Sequence, residues 1–116
     1  MLTKKEIENI IVDEVIVDCY DEQEVKMGWA IFMTDNINYP FEAEYDLKKA
    51  SGGTQKEKVQ VIGNESSESN FSMDAFYVQI EVNGMVMPAD IEKLKIIDAD
   101  ETTRTTLQVW KHRHSY

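Results

Sequence analysis

The hydrophobic period of the sequence changes at Tyr39-Pro40-Phe41, and this change constrains the fold most strongly. Before it, apolar residues recur at helical spacing, and from Phe41 onward they alternate with polar residues as in a half-buried strand. Pro40 lacks the amide hydrogen that a continuing helix needs, so it ends the helical part. The sequence therefore predicts an α+β fold with a helical N-terminal third and a β-rich remainder.

Two capping patterns mark the predicted helices. Thr3 followed by Glu6 has the spacing of a capping box, so a first helix should begin at Lys4. Asp21 followed by Glu24 repeats the pattern and should begin a second helix that ends near residue 36. We expect the two helices to pack against each other as a hairpin.

Four or five short strands are predicted after Pro40. Alternation predicts strands within residues 41–47, 56–62 and 76–82, and Asn83-Gly84 is typical of a type I′ turn that leads into the next strand. A tight turn at residues 88–92 and a last strand at residues 94–97 complete the set. We predict that the helical hairpin packs on a small, strongly bent antiparallel β-barrel of SH3-like type.

Residues 1–97 are predicted to form one domain, and residues 98–116 a C-terminal tail extension. The tail begins acidic and ends basic, which suits a helix dipole, but its four threonines favour extended structure. The sequence leaves its conformation open between the two.

Acidic side chains outnumber basic ones, 22 to 12, which leaves a formal net charge of -10. Such a surface repels phosphate backbones and anionic lipid, so it argues against nucleic-acid and membrane-surface roles. It attracts cations, either as bound metal or as the basic face of a partner protein. The chain has one cysteine and no stretch as long as a membrane span, and we therefore predict a cytoplasmic protein.

The sequence shows no arrangement for nucleophilic catalysis. Both histidines, His112 and His114, lie within the last five residues, and Cys19 has no basic neighbour in the sequence. A protein that is not an enzyme is predicted.

Carboxylates are the candidate functional groups of this chain. They can supply oxygen ligands to a calcium ion, which takes about 6–8 of them. The EF-hand pattern is absent, so a calcium site would be assembled from separate segments. Asp35 falls at the C-terminal end of the second helix, where the dipole disfavours a carboxylate unless a cation neutralises it. The loop 64–70, followed by Asp74, offers carboxylates, hydroxyls and carbonyls. A third set of acids should instead pair with lysines of the neighbouring strand: Glu42, Glu44 and Asp46 with Lys56 and Lys58.

Three short segments of the N-terminal third match the signature of one family. They are Asp18-Cys19-Tyr20-Asp21, Met27-Gly28-Trp29 and Tyr39-Pro40-Phe41. They resemble the Asp-Ala-Tyr-Asp, Met-Gly-Trp and Phe-Pro-Phe segments of the small acidic calcium-binding family CcbP. Looser matches follow the order of strands as far as Leu94, so that the resemblance spans residues 1–96. It implies a compact domain of helices and strands that binds calcium through acidic loops and acts as a buffer or sensor.

The resemblance also implies which residues bind calcium. The acid that precedes the family's Pro-Phe segment falls near Asp35, and the acidic loop before the third strand falls on Glu65, Glu68 and Asp74. Serines and asparagines stand in this loop where the family tends to be acidic, which implies weaker calcium binding.

Two hypotheses of function remain open at this point. In the first, the protein binds calcium through Asp35 and the loop carboxylates, with Asp18 and Asp21 as another place for the ion. In the second, it is a non-enzymatic interaction module, such as an immunity-type or adaptor protein, that binds a basic partner without calcium.

Overall fold

Three helices and a five-stranded sheet make up the residues that the computed structural model describes, 2–114. The α+β class predicted from the sequence is confirmed. In chain order the elements are α1 (Lys4–Ile10), continued by a π-helical turn (Ile11–Val15), α2 (Glu22–Asn36), β1 (Phe41–Lys48), β2 (Thr54–Asn64), β3 (Tyr77–Val82), β4 (Met85–Asp90), a 3-10 turn (Ile91–Lys93), β5 (Lys95–Asp98) and α3 (Glu101–Lys111). None of the described helices is long and apolar enough to cross a membrane.

The two N-terminal helices begin where their caps predict. The Glu6 amide donates to the Thr3 hydroxyl, and the Thr3 amide donates to the Glu6 carboxylate, each at 3.1 Å. The Glu24 amide donates to the Asp21 carboxylate at 2.8 Å at the start of α2, which ends at Asn36 as predicted. These caps satisfy amides that the first turn of a helix leaves without a partner.

The sheet is open and does not close into the predicted barrel, whereas the SH3-like type stays a prediction. Its strand order is β4-β3-β2-β1-β5, with antiparallel neighbours throughout. Within residues 2–114 the edge strands β4 and β5 do not pair with each other. The Arg104 guanidinium donates to the Ile97 carbonyl of β5 at 3.3 Å and to the carbonyl of Ala99, just after the strand, at 3.0 Å.

The short connection from β4 to β5 nevertheless requires the sheet to bend. In a flat sheet, four spacings of about 4.8 Å would separate β4 from β5 by roughly 19 Å. The chain joins Asp90 to Lys95 through the compact 3-10 turn, in which each residue rises only about 2 Å. The two edges must therefore approach each other at this corner. Register shifts between Glu42 and Ala43 and between Val61 and Gly63 accompany the bend.

The turn predicted over residues 88–92 lies later than expected. Pro88 belongs to β4, opposite Gln79, and the turn is the 3-10 segment Ile91–Lys93. Proline is tolerated there because β4 is an edge strand, whose outward-facing amides need no partner strand.

α3 completes the core between the helical layer and the sheet. Trp110 is fully buried, and its ring lies 5.7 Å from Trp29, 5.8 Å from Phe71 and 6.1 Å from Phe76, centroid to centroid. The sequence leaves the conformation of residues 98–116 open between helix and extended structure. In the structure, α3 is helical from Glu101 to Lys111. Packing decides its conformation against the weak extended preference of its threonines.

Two threonines of α3 attach it to the end of α2. The Thr103 hydroxyl accepts the Asn38 amide at 2.9 Å, and the Thr106 hydroxyl reaches the Asn36 carbonyl at 3.1 Å. Both threonines are buried. They satisfy backbone groups that α2 leaves unpaired where it ends.

Candidate functional site

The connection between β2 and β3 holds three of the four predicted calcium ligands, and its first part is anchored at two points. Ser66 is buried, and its hydroxyl accepts the Tyr77 amide at 2.9 Å. Phe71 is buried against Trp110. Glu65, beside the first anchor, is exposed, and its carboxylate accepts a hydrogen bond from the Gln79 side chain at 2.8 Å.

Between these anchors lies an exposed turn made of polar residues. The Ser67 amide donates to the Asn70 side-chain oxygen at 2.6 Å, and the hydroxyls of Ser67 and Ser69 are 2.9 Å apart. Glu68 is exposed, and its carboxylate has no hydrogen bond or ion pair within residues 2–114. The turn thus places carboxylate, hydroxyl and amide oxygens on a short exposed stretch of chain.

Arg113 holds the far end of the connection. Its guanidinium donates to the carbonyls of Met73 and Asp74, the latter at 2.8 Å, and to the Trp110 carbonyl at 2.9 Å. It also forms an ion pair with Glu92 at 2.6 Å. The Arg113 side chain is only 6% exposed, whereas Asp74, whose backbone it fixes, is an exposed residue. Sequence reasoning missed this residue and recorded only that the tail ends in basic residues.

Asp35 lies elsewhere, on the last turn of α2. It is exposed, and no basic residue in that turn compensates its charge. It lines a cavity of about 490 Å³ between the π-helical turn and α2, together with Glu14 and Glu24. Asp35 is 14 residues beyond the Asp21 cap, which corresponds to about 20 Å along the helix.

The two predicted locations are at opposite ends of α2. Met73, next to Asp74, lines a second cavity together with Asp21 and Val25 from the start of α2. Among the described residues, no three histidine, cysteine, aspartate or glutamate side chains lie close enough to hold a metal ion together. The structure therefore does not gather Asp35 and the loop carboxylates into one centre, and their role as ligands stays a prediction.

Two of the three acids of β1 pair with lysines of β2, as expected from the strand alternation, whereas Asp46 forms no ion pair within residues 2–114. Lys58 lies 3.0 Å from Glu42, and Lys56 lies 3.9 Å from Glu44. The pairs are diagonal, because the residue directly opposite Glu44 is Lys58. The hydrogen bond from Lys58 lowers the pKa of Glu42. These carboxylates already have cationic partners and are poor candidates for calcium.

A further group of acids surrounds Cys19 at the start of α2. Its thiol contacts the Glu24 carbonyl at 3.3 Å. Burial raises the pKa of the Cys19 thiol, and the charges of Glu24, Asp18 and Asp21 raise it further. The Asp21 carboxylate is already used as the cap of α2. A cation that binds near Cys19 would offset this negative potential and lower the pKa of the thiol. The thiol pKa therefore reports cation binding at this place.

Comparison with known families identifies the chain. The model of the calcium-binding family CcbP matches residues 9–113. The chain belongs to the CcbP calcium-binding family. This match reaches beyond the resemblance seen over residues 1–96 and includes α3 and Arg113. The predicted family and the predicted function class, calcium binding, are confirmed, and the alternative of a calcium-free module is not favoured.

Solved structures show the same fold. The chain is similar to the crystal structure of Anabaena CcbP, with a TM-score of 0.77 and 24% identity, covering 97% of this chain and 91% of that one. It is also similar to a calcium-binding protein in the calcium-binding form, with a TM-score of 0.72, the same identity and the same coverage. Comparison with curated protein sequences gives no significant match. Membership in a family of calcium-binding proteins points to a non-enzymatic role.

Proposed function

We propose that this CcbP-family protein binds calcium as a buffer or sensor and that its ligands include Asp35, Glu65, Glu68 and Asp74. The observation that carries the proposal is the match of the calcium-binding family model to residues 9–113, almost the whole chain. A basic partner protein and a cytoplasmic location stay predictions from the sequence.

The β2–β3 connection is the better supported of the two locations. Calcium prefers several hard oxygens on backbone that can wrap around the ion. Glu68 and Asp74 are exposed and have no cationic partner within residues 2–114, and the serine and asparagine oxygens lie beside Glu68. Arg113 fixes the Asp74 backbone but leaves the carboxylate outside the core. The loop therefore combines fixed ends with a turn that can rearrange.

Asp35 supports a second, separate location. A cation there would neutralise a carboxylate at the negative end of the α2 dipole, where it is otherwise disfavoured. Glu14 lines the same cavity and supplies a second carboxylate. We propose that this place binds calcium more weakly than the loop, because fewer oxygens are near it.

The loop geometry favours a sensor over a rigid buffer. The Asn70 side-chain oxygen is engaged by the Ser67 amide and hydroxyl, so the turn must exchange these hydrogen bonds to surround an ion. Binding would then change the conformation of the turn, which a partner can detect.

Calorimetric titration of the metal-free protein with calcium, in excess magnesium, tests the proposal. We expect the double variant Glu68→Gln with Asp74→Asn to weaken calcium binding by at least about tenfold, because two charged ligands become neutral. The matched control is Asp46→Asn with Glu81→Gln, which removes the same charge from exposed positions in the strands. Asp35→Asn should abolish only the weaker of the two calcium-binding phases in the titration.

Two outcomes would contradict these assignments. Absence of both binding heat and thermal shift at millimolar calcium would overturn calcium binding itself. Equal weakening by the loop and control variants would remove the loop from the site. Alkylation of Cys19 then tests the place near Asp18 and Asp21, because calcium there would lower the thiol pKa and speed the reaction.

A further inference from the structure

A basic groove interrupts the acidic surface of this protein. It lies between β5 with its preceding turn on one side and the outer face of α3 on the other, and it encloses about 460 Å³. Four of the chain's 12 basic residues line it: Lys93, Lys95, Arg104 and Lys111. This concentration is unusual in a chain with a net charge of -10.

The cations of the groove form no ion pairs within residues 2–114, although Glu44 of β1 lies opposite Lys95. All four side chains are exposed. Glu92, the carboxylate in the lining, lies 2.6 Å from the buried Arg113, which already neutralises it. Lys56 and Lys58 on β2 do have carboxylate partners. The positive potential of the groove therefore remains free to act on a ligand.

The groove has an apolar floor and one fixed cation. Leu94 and Leu107 are buried beneath it, and Ile96 is half-buried. Arg104 is held by its hydrogen bonds to the Ile97 and Ala99 carbonyls, so its charge has a defined position. The bond to Ile97 also occupies one carbonyl of β5. The groove offers exposed cationic side chains for recognition.

We propose that this groove docks a short acidic segment of a partner protein. Carboxylates of the segment would meet the four cations, and an apolar side chain would rest on the floor. A long polyanion such as nucleic acid is disfavoured, because it would extend over surface that carries the remaining negative charge. The net charge of the chain alone would lead one to expect a basic partner, whereas the partner of this groove is acidic. Its binding does not depend on the calcium sites.

Fluorescence anisotropy with a labelled peptide of glutamates and aspartates around a central Leu-Leu tests the proposal. The experiment is done in EDTA, because the peptide would itself chelate calcium. We expect saturable binding that weakens as salt rises. The variant Lys95→Glu with Lys111→Glu should lose at least about tenfold in affinity. The control Lys48→Glu with Lys49→Glu makes the same charge change at exposed positions at the end of β1 and should lose less than about threefold.

Other results would overturn the proposal. An equal loss of peptide affinity in both variants would mean that only the overall charge of the protein matters. Equal binding of a peptide with Gln and Asn in place of its acids would mean that the groove does not recognise the carboxylates. Displacement of the peptide by low-millimolar phosphate would identify a small anion as the ligand. Tighter binding of duplex DNA would identify nucleic acid. Self-association that Lys95→Glu abolishes, measured by sedimentation, would identify a second copy of this chain.

Discussion

Gly28 lies at a close approach of α2 to the π-helical turn. A Cβ atom at this position would overlap the Val15 carbonyl oxygen and lie 3.4 Å from the Cys19 sulfur. Its neighbour Trp29 is only 2% exposed, whereas Met27 on the other side is 41% exposed. The Met-Gly-Trp segment shared with the family therefore has a structural role, in which glycine permits the contact and tryptophan enters the core.

Replacing Gly28 by alanine should destabilise the protein. Alanine favours a helix by about 1 kcal/mol over glycine, but the clash with a backbone atom should outweigh this and leave a net loss of about 1–3 kcal/mol. Urea unfolding measures the difference. Gly63→Ala is the control, since its Cβ would meet only the Gln79 side chain at 3.7 Å. A more stable Gly28→Ala variant would contradict the close approach.

At the scale of elements, Asp100 connects α3 to the segment that follows α2. Its carboxylate caps α3 by accepting the Thr103 amide at 2.7 Å and also accepts the Asn38 side-chain amide at 2.8 Å. The bonds from Thr103 and then Asn38 lower the pKa of Asp100 below the ordinary value of 3.8. The contribution of this carboxylate to stability is therefore fully present above pH 3.8 and is lost as pH falls through the lowered pKa.

Asp100→Ala should lower the melting temperature at pH 7 by about 4 °C or more, because α3 loses its cap. The difference from the unchanged protein should shrink as pH falls below 3.8, where Asp100 becomes protonated in the unfolded chain, and should be smallest below its lowered pKa in the folded protein. Thermal unfolding at several pH values measures both effects. Asp98→Ala removes the same charge from an exposed position in β5 and should show little effect. A gap that stays constant down to low pH would contradict the role of the ionised carboxylate.

At the scale of the whole molecule, the aromatic cluster around Trp110 joins the helical layer, α3 and the β2–β3 connection. Trp29 comes from α2, Phe71 and Phe76 from the connection, and all are buried with Trp110. Arg113 lies over the Trp110 ring, 3.9 Å from its centroid, and clamps the same connection. The loop that we propose to bind calcium is thus anchored on the C-terminal helix.

Deleting residues 98–116 should prevent cooperative folding. Truncating one buried tryptophan typically costs about 3–5 kcal/mol, which approaches the whole stability of a small domain. Near-ultraviolet circular dichroism and urea unfolding measure the loss. Trp110→Ala, a smaller change, should fold with a reduced midpoint. If residues 1–97 unfolded as cooperatively as the full chain, the predicted division into a domain of residues 1–97 and a tail would be right. α3 would then be dispensable for folding.

Local patterns determined much of this fold. The caps at Thr3 and Asp21 set the starts of two helices, and Asn83-Gly84 set a hairpin in which both residues have positive φ, 52° and 79°. Each of these depends on hydrogen bonds or backbone preferences within about four residues, so the sequence alone specifies it. The family signature, including Met-Gly-Trp, is similarly short and was readable without the structure.

Only the tertiary structure decided how these pieces meet. Trp110 makes α3 helical against the preference of its threonines, Arg104 joins α3 to β5 through the Ile97 carbonyl, and Arg113 anchors the loop that carries Asp74. The same is true of the acids: the roughly 20 Å from Asp21 to Asp35 follows from the predicted length of α2, but only the structure shows that Met73 packs at the Asp21 end. Most of these contacts join residues tens of positions apart, and their energies come from burial and packing that no local pattern records.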